Sequence, residues 1–189
     1  MRILIADDEA LIRMGLRTML EDRGHKVVGA AAEGASALHM ARTEKPDVIL
    51  LDIKMPGMDG LEAARRIMQE RPTPIVMLTA FSQRELVNQA RAACVFGYLV
   101  KPVKEELLDA TLALAVTRFK EWQKLQKEMR DLEKSLAARQ AVEKAKFWLM
   151  EKQGLTEQQA FNKIHRTSRA RRVTMQQVAQ EILDGAHKK

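Results

Sequence analysis

Two periodicities alternate through the first hundred residues. Residues 2–6, 26–31, 47–53, 74–79 and 97–100 are short apolar or β-branched runs bounded by charged or turn residues, and they predict five strands. Between them, apolar residues recur on one helical face. Ile12, Leu16, Met19 and Leu20 do so before Gly24, and Leu61, Ala64, Ile67 and Met68 before Pro72. Asp59 with Glu62, and Ser82 with Glu85, have the spacing of helix capping boxes. Strand and helix alternating five times predict an α/β domain, a five-stranded parallel sheet doubly wound with helices on both faces.

After residue 102 the pattern becomes purely helical. Residues 103–153 contain neither Gly nor Pro, enough for a helix of about 75 Å if it runs unbroken. Trp122, Leu125, Met129, Leu132 and Leu136 follow a heptad a/d pattern, which Arg139, Glu143 and Lys146 then break. A coiled coil that joins two chains and ends near Leu136 is expected, the alternative being one amphipathic helix folded back on its own domain. The apolar stripe restarts at Val142, Ala145 and Leu149, and Gly154 stands where a helix C′ glycine belongs. Thr156 with Gln159 opens a helix carrying Ala160, Phe161 and Ile164, and Thr174 with Gln177 opens another carrying Met175, Val178, Ala179 and Ile182. Three short helices with facing stripes make a small bundle, with His165 at its surface. The expected division is an α/β domain over 1–118, a coiled-coil linker over 119–138 and a three-helix domain over 139–189.

Charge sharpens this division. Residues 1–118 carry 16 Lys and Arg against 16 Asp and Glu, whereas the remainder carries 16 against 9, the whole of the net +7. From Gln158 to Gln180 there is no acidic residue, while Lys163, Arg166, Arg169, Arg171 and Arg172 are present. Such a surface is an electrostatic footprint for a polyanion. No apolar run approaches a membrane span, no signal-peptide pattern follows Met1, and the single cysteine, Cys94, cannot form an internal disulfide. A cytoplasmic protein without a membrane partner is expected.

In a parallel sheet the ligand site lies beyond the carboxyl ends of the strands. There the sequence places Asp7, Asp8 and Glu9 after the first strand, Asp52 at the end of the third, Thr79 at the end of the fourth and Lys101 after the fifth. Singly, Asp7 or Asp8 could cap a helix, Asp52 could end a strand in a turn, and Lys101 could be a solvated loop residue. Jointly they supply hard oxygen ligands suited to Mg²⁺ and a carboxylate able to take a phosphoryl group, with a cation and a hydroxyl to meet its charge.

These residues resemble the receiver domain of two-component response regulators. The resemblance rests on Asp7-Asp8, Asp52 followed by Met55-Pro56 and Asp59-Gly60, Thr79-Ala80, and Tyr98 before Lys101-Pro102. It implies a flavodoxin-like fold and Asp52 as phosphoacceptor for a sensor histidine kinase, with Thr79, Tyr98 and Lys101 as the switch. It further implies Mg²⁺ held by Asp8, Asp52 and the Lys54 carbonyl, with Asp7 in support, and no enzymatic role beyond self-phosphotransfer and dephosphorylation. Residues 139–183 resemble the ANTAR antiterminator module through Arg139, Val142, Ala145-Lys146, Leu149-Met150, Gly154, Glu157, Ala160-Phe161, Arg166, Arg171-Arg172 and Val178-Ala179. Phe147 and Ser168 depart from it, standing where glycine and alanine are usual. This second resemblance implies binding of RNA hairpins that favours an antiterminator over a terminator, in a homodimer when active. Lys144, Lys146, Lys163, Arg166, Arg169, Arg171 and Arg172 are the expected contacts to the RNA backbone. A DNA-binding regulator and a phosphorylation-gated dimerising scaffold are the alternatives.

Overall fold

A computed structural model describes residues 1–80 and 95–186; the expected Ser82–Glu85 cap and Cys94 lie outside the described residues. The chain divides into two compact units, Met1–Gln123 and Lys124–Lys189.

The first unit runs β1 (Arg2–Ala6), α1 (Ala10–Asp22), β2 (Lys26–Ala31), α2 (Gly34–Glu44), β3 (Val48–Asp52), α3 (Gly60–Glu70), β4 (Ile75–Thr79) and β5 (Gly97–Val100), then enters the long helix α4 (Glu105–Gln153). The five strands are all parallel in the order β2-β1-β3-β4-β5. This is the flavodoxin-like arrangement, whose order reverses between β1 and β3. β3 and β4 are buried at every position, as expected for strands covered on both faces. Asp59 caps α3 by accepting the Glu62 N–H at 2.7 Å, but the box does not close, because the Glu62 carboxylate is drawn to Arg65 and Arg66 instead.

The receiver-like core reaches further along the chain than expected. Phe119 is buried, and Trp122 packs against the same core. Phe96, Phe119 and Trp122 form an aromatic cluster with centroids 5.2 to 6.0 Å apart. Two residues expected in the linker, Phe119 and Trp122, therefore pack with the core of the first unit, where their large rings are partly or wholly withdrawn from water.

The expected break after Leu136 is a break in the apolar register only, since α4 continues as one helix to Gln153, where Gly154 turns at φ +64°. Leu125, Met129, Leu132 and Leu136 are 54 to 71% exposed. In the second unit the end of α4 packs with α5 (Glu157–Arg171) and α6 (Met175–Ala186) around Ala145, Leu149, Ala160, Ile164, Val178 and Ala179. Thr156 and Gln159 form a complete capping box, and Thr174 and Gln177 exchange the same two bonds. Ser168 occupies an alanine-sized place in this core and satisfies its hydroxyl by donating to the His165 carbonyl at 2.9 Å.

Candidate functional site

Because β1 and β3 are neighbours, the chain leaving β1 sets Asp7 and Asp8 beside Asp52, the last residue of β3. One carboxylate oxygen from each of the three lies within 4.8 Å of the others. Asp7 is fully buried; its Oδ1 accepts the Glu9 N–H at 3.0 Å and its Oδ2 lies 2.7 Å from Lys101 Nζ. Asp52 is buried, with Oδ1 accepting its neighbour Ile53 N–H at 2.8 Å and Oδ2 lying 3.0 Å from the same ammonium. Asp8 is exposed at the rim. Helix α1 has Glu9 at its N-cap and no side-chain cap, so neither aspartate is spent on that role.

Lys101 is delivered by β5 and held in place by its backbone N–H, which donates to the Thr79 carbonyl at 2.8 Å; the peptide to Pro102 is cis. Thr79 is buried at the end of β4. It lines a cleft of about 240 Å³ with Asp8, Asp52, Lys54, Ala80 and Lys101. Tyr98 is half-buried on β5 and packs against the core. The Asp59-Gly60 pair has a steric reason: a Cβ on Gly60 would lie 1.8 Å from the Asp52 carbonyl oxygen, so only glycine lets α3 start this close to the end of β3.

Burial pushes the Asp52 carboxyl above its ordinary value, and neither the hydrogen bond and charge of Lys101 nor the Ile53 N–H fully offsets it, with the Asp7 charge adding to the rise. For Lys101 burial works against the ammonium, but hydrogen bonds and charge from Asp7 and Asp52 outweigh it and hold its pKa up. Asp7, Asp8 and Asp52 cluster around one ammonium that pairs with Asp7 and Asp52, a donor set of hard oxygens with excess negative charge that suits a small divalent cation such as Mg²⁺. One contributor escaped the sequence reading. Arg13, one turn into α1, donates from Nη1 to the carbonyls of Asp7 and Asp8 at 2.6 and 2.9 Å and so fixes the acidic turn. No motif signals it.

In the second unit the seven expected cations separate into two groups. Lys146 is buried, with Nζ 3.0 Å from Glu143 and 2.8 Å from Glu157, and Arg171 forks onto Glu181. These two are paired with carboxylates, Lys146 with its ammonium buried and Arg171 at the surface. Lys163 Nζ donates to the Gln153 side-chain oxygen at 2.7 Å. Lys144, Arg166, Arg169 and Arg172 are exposed and have no carboxylate partner among the described residues. Arg172 closes α5 with φ +53°, a left-handed conformation that glycine would adopt at less cost. His165 is not a solitary surface residue: its ring stacks on Phe161, with centroids 6.0 Å apart and planes 5° from parallel. Their spacing of four along a helix is the signal that could have revealed this pair.

Comparison with known proteins agrees with both halves. The model of the response regulator receiver domain matches residues 3–113, and that of the ANTAR domain matches residues 130–183. The chain belongs to the response regulators, as a receiver followed by an ANTAR domain. It is 47% identical over 183 residues to the transcriptional regulatory protein PdtaR of Mycobacterium tuberculosis, covering 97% of this chain and 89% of that one. Among solved structures, the signal receiver domain of a modulated diguanylate cyclase from Desulfovibrio desulfuricans G20 is 33% identical with a TM-score of 0.59, covering 63% of this chain and 95% of that one. Chemotaxis protein CheY4 of Vibrio cholerae is 37% identical with a TM-score of 0.56, covering 59% and 95% respectively. Among the described residues no helix is long and apolar enough to cross a membrane.

Proposed function

We propose that phosphoryl transfer from a sensor histidine kinase to Asp52 governs binding of RNA hairpins by the C-terminal unit, so that an antiterminator structure prevails over a terminator. The observation that carries this reading is the buried pair Asp7 and Asp52 sharing Lys101 on a chain whose other unit displays unpartnered arginines. In the transfer, an Asp52 carboxylate oxygen bonds to phosphorus as the P–N bond of the phosphohistidine breaks and its electron pair leaves with the imidazole. Lys101, already 3.0 Å from Asp52, meets the charge on the phosphoryl oxygens, with the Thr79 hydroxyl in the same cleft. Mg²⁺, held by Asp8, Asp52 and the Lys54 carbonyl with Asp7 in support, would neutralise further phosphoryl charge. The chain's own chemistry is confined to accepting and releasing this group.

Drawing Thr79 and Lys101 toward the phosphoryl group leaves room for Tyr98 to reorient, a local change that biases two pre-existing states. Lys144, Lys163, Arg166, Arg169 and Arg172 contact RNA phosphates, while Lys146 and Arg171 brace the bundle. Such a regulator works in the cytoplasm, where transcripts are made. Asp52→Asn tests the reading. It should abolish labelling by acetyl phosphate, and treatment that raises wild-type affinity for hairpin RNA by about tenfold should leave the variant unchanged. Undiminished labelling of Asp52→Asn, or equal wild-type binding of hairpin RNA and duplex DNA of the same length, would refute it.

The active form is a homodimer whose linker starts after Trp122. Leu125, Met129, Leu132 and Leu136 support it, because four large apolar side chains at heptad spacing stay more than half exposed in the single chain. Replacing Leu125 and Leu132 by Asp should yield monomers in sedimentation; a wild type that is monomeric both with and without phosphorylation would exclude the dimer.

A further inference from the structure

We infer that the stacked pair Phe161 and His165 on α5 is a base-reading platform, on which one unpaired nucleobase of an RNA hairpin loop stacks while Arg169 and Arg172 hold the flanking phosphates. This rests on the proposed RNA binding and names the element of that surface that reads the loop. Phe161 is 39% exposed, outside the apolar core of its unit, and its ring already lies nearly parallel to the half-buried His165 ring. Part of the phenyl ring is left in water and offers a π-face to a planar ligand.

The surroundings specify the ligand. One turn beyond His165 on the same side of the helix comes Arg169, and Arg172 follows where α5 ends. Both arginines are exposed and without a carboxylate partner among the described residues. Arg172 occupies a left-handed position that glycine would adopt at less cost, and its side chain is exposed there. No acidic residue interrupts the sequence from Gln158 to Gln180. Aromatic faces flanked by cations are the means by which proteins hold splayed-out bases, whereas paired bases inside a duplex have no free face to offer. An RNA loop fits this surface and a regular duplex does not.

The test uses the full-length chain and a bound hairpin RNA whose loop nucleotides are replaced one at a time by abasic residues. Wild type should lose on the order of tenfold or more in affinity at one loop position, the worth of a stacked base. Phe161→Leu should lose a similar factor on the intact loop and nothing further on that abasic hairpin. Its dependence on salt should match the wild type, whereas Arg169→Ala should lower the slope of log affinity against log salt by about one. Phe161→Tyr should restore binding. A Phe161→Leu protein that retains wild-type affinity, or that weakens the intact and abasic hairpins equally, overturns the platform while leaving RNA binding in place. Wild type that binds hairpins no better than duplex overturns both.

Discussion

Each unit of this protein contains a lysine set between carboxylates, and the two constellations behave differently. Lys101 lies between Asp7 and Asp52, both buried, with the exposed Glu9 further off at 3.7 Å; Lys146 lies between Glu143 and Glu157, whose side chains are about 70% exposed. In the first, desolvation dominates and lifts the Asp52 carboxyl above its ordinary value despite the ammonium beside it. In the second, the hydrogen bond from Lys146 dominates and lowers the Glu157 carboxyl. The same three groups are thus a site poised for chemistry when the carboxylates are withdrawn from water, and a clip between α4 and α5 when they are not. What separates them is the backbone that carries the acids. Strand ends at a sheet's switch point hold side chains inside a cleft, whereas helix faces let glutamates return to solvent.

The largest expected difference is in stability without Mg²⁺. Lys101→Met leaves two buried carboxylates facing each other and should cost about 3 kcal/mol. Denaturant unfolding followed by Trp122 fluorescence in a Trp148→Phe background measures it. Lys146→Met, followed by Trp148 in a Trp122→Phe background, should shift the transition far less, because Glu143 and Glu157 are hydrated once released. Equal losses would erase the distinction.

A smaller effect, opposite in sign for the two acids, is expected in acid. Glu157 has a folded pKa below its ordinary 4.5, so its contribution is complete above that value and is lost as pH falls through the folded pKa. Asp52 has a folded pKa above 3.8, so the native state binds the extra proton and stability rises as pH falls through that folded value. Melting temperatures between about pH 7 and 3 should show part of the acid loss missing in Glu157→Gln and the opposing gain missing in Asp52→Asn. Parallel profiles for the two variants would break the contrast.

Much of this was legible in the chain. Five strand segments, the helical C-terminal half and the acids and lysine at strand ends follow from periodicity and position, and the observed strands agree with the expected ones to within a residue at each end. Local hydrogen bonding was legible where it depends on residues three apart, as at Thr156 and Gln159, and only half so at Asp59, where neighbouring arginines compete for Glu62. The contact of Trp122 with Phe96 and Phe119 was not legible, because a heptad register and a receiver core both accept a large apolar ring.

The sequence by itself determined which elements form and which chemical groups stand at their ends, since both depend on local spacing along the chain. Only the tertiary structure decided how each charged group is used. That Lys146 and Arg171 pair with carboxylates while Arg166 and Arg169 have none beside them among the described residues, that Arg13 braces the acidic turn, and that His165 lies parallel to Phe161 all depend on relations among burial, pairing and facing direction. Charge counts are properties of a list of residues. Desolvation and partnership are properties of the space around each one, and that space exists only when the helices and strands have packed.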